Sequence, residues 1–295
     1  GYTVCVRRLI ERKPYFTTTE PGEEQYFAFT PVPHGSARAY HIADAHNRVE
    51  TAVKAAEAFG DIDFLILNGD VIDHSGDPSK FDNIYVIAAA LTGGHKPVVF
   101  SRGNHDMRGN FAEQFAAYTP SENGNTYYTF RLGDIWGLVL DCGEDKPDSH
   151  AEYGCTVACH DFRLRQTAFL KNEIEKAAFA ADGVKTRLVI VHNPFTHRLK
   201  PPFDIEDEIF GEWTRLIREH IRPHAYICGH LHHLGVHEAG STFDDRGQGC
   251  PVVVGAKPGD NGYFAGCGLI IDGDRLTVQF TDSDGATLAT VEAAP

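Results

Sequence analysis

Five short, mostly apolar stretches of this chain end in the same way, running within four residues into aspartate, asparagine or histidine. Ala39–Ala43 leads into Asp44-Ala45-His46, and Phe64–Leu67 into Asn68-Gly69-Asp70, with Asp73 close behind. Val98–Phe100 leads into Arg102-Gly103-Asn104-His105-Asp106, Leu188–Val191 into His192-Asn193-Pro194, and Tyr226–Cys228 into Gly229-His230-Leu231-His232. Short apolar runs closed by Gly, Asn, Asp or Pro read as strands, as does Trp136–Leu140. Between them, Val49, Val53, Ala56 and Phe59 fall at helical spacing, and Phe162, Phe169 and Ile174 do so more loosely. Strands alternating with helices predict an α/β domain with substantial parallel pairing. Ligands of open α/β sheets bind outside the carboxyl ends of the strands, so the five clusters are expected to face one crevice.

Carboxylate, imidazole and one amide oxygen form a mixed nitrogen and oxygen donor set suited to Mn, Fe, Zn or Ni. Without thiolates it is not a closed structural zinc site. Asp44, His46, Asp70, Asn104, His192, His230 and His232 are too many donors for one tetrahedral ion and suit two ions sharing a carboxylate. Each piece alone has an ordinary explanation: Asp-x-His occurs in many turns, and Gly-Asp after a strand is often only a turn. The ordered combination at five strand ends is what carries the reading.

Composition narrows the partners. With 27 Lys+Arg against 41 Asp+Glu the net charge is −14, which argues against a general nucleic-acid binder, because that affinity rests on basic side chains at phosphates. A small phosphorylated substrate stays open, since bound cations reverse the local field. No apolar run is long enough to span a bilayer. The 7 cysteines are odd in number and form no C-x-x-C pair, so they do not report a redox compartment. The chain opens at Gly1 and has a single methionine, Met107, and is expected to be a piece of a longer protein; a missing signal peptide is then uninformative.

Residues 1–36 differ in texture. Val4–Val6 and Tyr26–Phe29 are β-like, and Thr30–Gly35 is a turn-rich linker. The segment reads equally as the end of a preceding β domain or as an arm packed on the main domain, which takes up 37–295. At the other end Leu269–Ile271, Leu276–Phe280 and Thr287–Val291 read as antiparallel hairpins.

Asp44-x-His46, Gly69-Asp70-x-x-Asp73, Gly103-Asn104-His105-Asp106, His192 and Gly229-His230-x-His232 together resemble the five motifs of the calcineurin-like metallophosphoesterases. The resemblance covers about residues 37–271. It implies a four-layer α-β-β-α sandwich of two mixed sheets, here with a short N-terminal β segment. It also implies that Asp44, His46, Asp70 and His232 bind one ion, that Asp70 bridges, and that Asn104, His192 and His230 complete the second. His105 would be the catalytic acid. Purple acid phosphatases carry glycine where this chain has His46 and a tyrosine ligand where it has Asp73, so no tyrosinate-to-iron colour is expected. Serine/threonine phosphatases have a phosphate-binding arginine where this chain has His74, which weighs against protein-phosphatase activity. Tyr127–Phe130 and Leu140–Asp148 are similar to bacterial members with an N-terminal fibronectin-III-like domain, whose end residues 1–36 would be. Many of those relatives are exported, which is compatible with an extracytoplasmic home; a cytoplasmic one stays open.

The implied chemistry is hydrolysis of a phosphomonoester or phosphodiester. Two metals about 3.5–4 Å apart acidify a bridging water for attack and clamp the phosphate. His105 would protonate the departing alkoxide, and the Asp73 carboxylate would hold its other ring nitrogen. Arg102, Arg108 and His74 are candidates for the phosphate itself. A non-catalytic binding module of the same fold should have lost ligands or His105, and none is lost; a nuclease of the fold is disfavoured by the acidity. Cys155-x-x-x-Cys159-His160, with His150 nearby, reads as a plain loop rather than a zinc site or a disulfide. The loops at about 74–80, 142–161 and 193–210 are expected to shape the pocket, the second of them bordering the crevice.

Overall fold

Alternation along each strand explains the layers. In a computed structural model that describes residues 1–293, Phe64 and Ile66 face one side of their strand and Leu65 and Leu67 the other, yet all four are fully buried. A strand buried on both faces needs cover on both, which is the signature of a parallel sheet inside a layered domain.

Two sheets supply the inner layers. One is six-stranded, in the order Leu234–His237, Val252–Gly255, Ala225–Cys228, Thr186–Val191, Ile135–Leu140, Tyr128–Leu132. The other runs Thr287–Ala293, Arg275–Asp282, Phe264–Asp272, Ser36–Ile42, Phe64–Asn68, Val98–Ser101, with Lys257–Pro258 paired to its third strand. The strands that carry the polar clusters are parallel neighbours: Ala39 to Ile42 pair with Phe64 to Leu67, and Leu188 to Ile190 with Ala225 to Ile227. Antiparallel strands close both edges of the first sheet and one edge of the second, whose other edge, Val98–Ser101, is parallel to its neighbour.

Ala39, Phe64, Ile66, Val139, Leu188, Ile190, Ile227, Val253 and Leu269 fill the space between the sheets. On one outer face Tyr40, Ile42, Leu65 and Leu67 meet the helices Val49–Phe59 and Asp82–Thr92. On the other Trp136, Leu138, Val189 and Tyr226 meet Cys159–Lys176 and Asp207–Leu216, where Trp213 is fully buried. The architecture is the expected four-layer sandwich of two mixed sheets.

Residues 1–35 form a two-tiered β arm and its linker, and Ser36 already opens a strand of the main sheet. Tyr2–Val6 pairs antiparallel with Glu23–Phe27, and Leu9–Arg12 with Thr17–Thr19. The arm's base rests on the turn after Thr92: Thr30 donates to the His95 carbonyl at 2.7 Å and the Phe27 ring lies 5.7 Å from that of His95. Its linker is pinned by Asp134, which accepts from Gly35 N–H at 2.9 Å and contacts His34.

Candidate metal centre

Delivering neighbouring side chains from one strand end to one point forces the backbone to turn sharply. Asp44, His46, Asp70, His230 and His232 all adopt positive φ, between 45° and 68°. That left-handed region is uncommon for residues other than glycine, tolerated best by Asp, Asn and His, and concentrated at functional sites. The glycines beside them serve close approach. A β-carbon at Gly103 would sit 2.2 Å from Asp70 Oδ1, and one at Gly229 2.7 Å from Asp44 Oδ2.

The strand ends converge. The ring atom Nε2 of His192 lies 3.1 Å from Asp70 Oδ2 and 3.6 Å from Asp44 Oδ1. His232 Nε2 lies 3.3 Å from Asp44 Oδ1 and 3.4 Å from His46 Nε2. His230 Nδ1 lies 3.0 Å from Asn104 Oδ1, and its backbone N–H donates to Asp44 Oδ2 at 2.8 Å. Ligand atoms of Asp44, His46 and His232 fall together in one group, and those of Asp70, His192 and His230 in another. All seven candidate ligands are thus brought to one place.

Two buried atoms at its centre, Asp44 Oδ1 and His192 Nε2, have no hydrogen-bond partner among the described residues. They are close to opposite charge yet not aligned for hydrogen bonding, and leaving such atoms unpaired is costly. Once the His192 ring gives up its Nε2 proton, its lone pair and those of the carboxylates converge on one point and fit a cation. Supporting contacts fix the rings: His192 Nδ1 donates to the Asn68 carbonyl at 2.7 Å, which leaves Nε2 toward the carboxylates.

Charge is balanced inside the group. Burial disfavours charge on His192, but the Asp70 and Asp44 carboxylates outweigh it and hold the ring up at about 10. For Asp70, burial acts upward, and His192 overrides it and pulls the carboxyl below its usual range. Burial and the nearby His192 push His230 down to about 4, and burial lowers His46, so both rings are neutral donors near pH 7. Asp106 is pushed up to about 8 by burial and by Asp70; it accepts from Gly103 N–H at 2.8 Å and Asp70 N–H at 3.2 Å, locking one strand-end loop to the next.

The environment of His105 corrects one expectation. Its Nδ1 meets Asp73 through the main-chain carbonyl at 2.8 Å, not through the carboxylate. The Asp73 carboxylate is taken up elsewhere, at 3.1 Å from His46 Nδ1 and accepting from Asn47 Nδ2 at 3.1 Å. Asp73 therefore orients two rings, His105 by its backbone and His46 by its side chain. The His105 ring Nε2 lies 4.0 Å from Asp70 Oδ2, and its backbone N–H donates to Asp70 Oδ1 at 2.9 Å.

The phosphate-binding candidates also need correction. Arg102 is bound to Asp141 at 2.7 Å, and Arg108 to Glu144 at 3.0 Å and Asp145 at 3.2 Å. Both line a separate cavity, and buried carboxylates already satisfy them. His74 is exposed and accepts from Gly76 N–H at 3.0 Å. None of the three lines the cavity of about 720 Å³ that opens over Asp70, Asn104, His105, His230 and His232. Its outer wall comes from His197–Phe203, with Arg198 and Lys200 as cations and Leu199, Pro201 and Phe203 as apolar surface. Of the three expected pocket loops, 193–210 supplies that wall and 142–161 supplies Asp145, while 74–80 does not line it. Asp145 is a site residue that the sequence did not single out: Asn104 Nδ2 approaches it at 3.4 Å, and Tyr153 O–H donates to its other oxygen at 2.9 Å. One acid in the run Glu144-Asp145-Lys146-Pro147-Asp148 gave no signal above its neighbours. Cys155 and Cys159 are free, in keeping with a plain loop.

Similarity to known proteins can be set against this geometry. Residues 37–234 match the family described as calcineurin-like phosphoesterase. A Danio rerio protein named serine/threonine-protein phosphatase CPPED1 is 27% identical over 77% of this chain and 74% of its own length. A probable cyclic nucleotide phosphodiesterase of Rhodopseudomonas palustris is 27% identical over 66% of each chain. Among solved structures, a purple acid phosphatase from yellow lupin (Lupinus luteus) seeds superposes with a TM-score of 0.61 at 14% identity, covering 94% of this chain and 57% of that one. A dimetal phosphatase from Danio rerio superposes with a TM-score of 0.59 at 13% identity, covering 90% and 99%. Those likenesses show a shared fold, and the family match takes in all five strand ends that build the site, up to His232. The chain therefore belongs to the calcineurin-like phosphoesterase family.

Proposed function

We propose that the protein is a dinuclear metal-dependent phosphohydrolase acting on a small phosphorylated substrate. The carrying observation is the pair of unpartnered buried atoms, Asp44 Oδ1 and His192 Nε2, at the meeting point of two donor triads. Asp44, His46 and His232 would hold one transition-metal ion and Asn104, His192 and His230 the other, with Asp70 shared; Mn, Fe, Zn and Ni all suit these donors. Such ions supply an acidified water as nucleophile and compensation for charge on the phosphoryl oxygens.

The chain's own residues do the rest. His105 stands at the cavity edge with Nδ1 tied to the Asp73 carbonyl, so Nε2 is the atom free to hold and deliver a proton to the leaving oxygen. The wall at His197–Phe203 encloses an organic group beside the phosphate, and Arg198 and Lys200 favour anionic substrates. A binding module without catalysis is less well supported, because no candidate ligand and no acid is missing. The relatives' names, a protein phosphatase and a cyclic nucleotide phosphodiesterase, bracket monoesters and diesters.

The test is a panel of phosphomonoesters, phosphodiesters and nucleotides assayed after chelation and after adding back Mn²⁺, Zn²⁺ or Fe²⁺. Activity that returns with metal supports the reading. No hydrolysis by metal-loaded protein of any ester in the panel would overturn it.

A further inference from the structure

At the opposite end of the six-stranded sheet lies a further cavity, of about 350 Å³, lined by Arg187, Arg218, Arg222, Pro223, His224, Gln248 and Gly249. Arg187 is the second residue of the strand Thr186–Val191 and His224 precedes Ala225–Cys228; these strands deliver His192 and His230 to the metal centre at their other ends. The cavity is therefore separated from that centre by about five strand residues, roughly 17 Å.

Three arginines around one hollow are unexpected in a chain of net charge −14. Among the described residues no carboxylate pairs with Arg187 or Arg222. Arg187 Nε donates to the Arg222 carbonyl at 2.9 Å, and Arg222 Nε reaches the Glu219 carbonyl at 3.4 Å, so the terminal nitrogens of both are left over. Arg218 donates to the Gly247 carbonyl at 3.0 Å and touches Glu219 at 3.4 Å, but Glu219 is held more closely by Arg215, at 2.8 Å. Burial and the neighbouring Arg222 both act against charge on Arg187. Like charges held together in this way want an anion between them.

The local backbone is shaped to hold them. Arg218 lies in a π-helical turn, Ile217–Ile221, and Arg222 after it is left-handed at φ 52°. Both features recur at functional sites. Gly247 and Gly249 are left-handed too, and a β-carbon on either would come within 2.5 or 2.6 Å of the Arg218 side chain. His224 is fixed between the elements: its Nδ1 accepts from Arg187 N–H at 3.0 Å.

We propose that this cavity is a second anion site, taking an oxyanion of the phosphate class on the guanidinium groups of Arg187, Arg218 and Arg222. Guanidinium presents paired donors that match two phosphate oxygens. The source is free phosphate or the phosphoryl end of a small organic molecule. The proposal does not depend on the hydrolytic reading of the metal centre.

The test uses the metal-loaded protein and calorimetric titration with inorganic phosphate and, separately, methylphosphonate. Wild type should bind two phosphates per chain, one of them lost in the double variant Arg187→Ala, Arg222→Ala. Affinity at that site should fall at least tenfold, the order expected for losing charge-assisted hydrogen bonds. Metal content and the thermal unfolding midpoint should be unchanged, which shows the variant folded; Arg222→Ala alone, at an exposed residue, should give a partial loss. Tighter methylphosphonate than phosphate at this site would identify an organic phosphoryl group as the better ligand, and the reverse would identify free phosphate. Equal stoichiometry and affinity in wild type and double variant would overturn the site. Failure of the metal-centre reading would look different: the phosphate lost would be the one insensitive to the arginines.

Discussion

His105 and Asp73 show how one side chain's role depends on which atom its neighbour presents. A carbonyl on Nδ1 fixes the ring of His105 but adds no full negative charge, so the ring's geometry depends on the backbone of residue 73 rather than on its carboxylate. His105→Ala should keep both metals and lose about 10²–10⁴-fold on alkyl phosphates, with less loss on aryl phosphates, whose leaving groups need less protonation. Asp73→Asn should leave that leaving-group pattern alone. It should instead weaken metal retention, because it removes the carboxylate behind His46 Nδ1, and such support is typically worth about 10–100-fold in affinity. Steady-state kinetics on paired esters, with metal analysis of each variant, separates the two; equal losses on both ester types together with lost metal in His105→Ala would make His105 a ligand.

His192 gives a prediction in pH at the same scale. Its value in the folded, metal-free chain lies above the ordinary 6.5, so its contribution to metal-free stability is complete below about 6.5 and fades as pH rises through about 10. A metal takes Nε2 only from the neutral ring, so loading near pH 7 must expel that proton. Apparent metal affinity should climb with pH by up to about tenfold per unit for one proton released. Calorimetry of metal loading in two buffers of different ionisation enthalpy measures the proton directly, and identical heats would show that none leaves.

At the scale of elements, the centre depends on how closely strand ends abut. Gly229 follows the strand Ala225–Cys228 and faces the end of the opposite sheet, where an added methyl would lie 2.5 Å from Ala43 Cβ and 2.7 Å from Asp44 Oδ2. Gly229→Ala should destabilise by about 1–3 kcal/mol through overpacking and should impair metal retention, because the displaced atom belongs to a ligand. Denaturant unfolding and metal content report the two effects, and an unchanged metal content would show that the loops yield freely. The wall His197–Phe203 predicts a different pattern. Phe203→Ala should raise KM for esters with large organic groups by several-fold while leaving metal content alone, and unchanged KM values would remove the wall from substrate selection. The strands and their polar ends were legible because apolar run and ligand follow each other directly in sequence, as at Leu188–His192. The strand Val252–Gly255 was not, because its run is only three valines before a glycine and, unlike the longer run Trp136–Leu140, it has neither length nor a following ligand to mark it. The partners of Arg102 and Arg108 were hidden for another reason: Asp141 and Glu144 are tens of residues away, and only folding shows that these arginines are already neutralised. Likewise the sequence cannot say whether an aspartate presents its carboxylate or its carbonyl.

For the whole molecule, the centre sits where the two sheets meet. Asp44 and Asp70 follow strands of one sheet, His192 and His230 strands of the other, and Asn68 ties them by donating to the Ile227 carbonyl at 3.0 Å. Bound metals would therefore cross-link the two inner layers as well as serve chemistry. A ligand that binds only the folded state stabilises it by RT ln(1 + [L]/Kd), about 4 kcal/mol at a thousandfold excess over Kd. For a domain of this size each kcal/mol moves Tm by about 2–4 °C, so saturating metal should raise Tm by roughly 10 °C over the chelated protein. The rise should grow with the logarithm of free metal concentration rather than reach a plateau at stoichiometric loading. Asp70→Asn removes the carboxylate that His192 holds below its usual range, so it should lower the chelated Tm and also abolish most of the metal-induced rise. Calorimetric scans of both proteins across a metal series make the comparison. A rise that survives intact in Asp70→Asn would place the stabilising metal somewhere other than between the sheets.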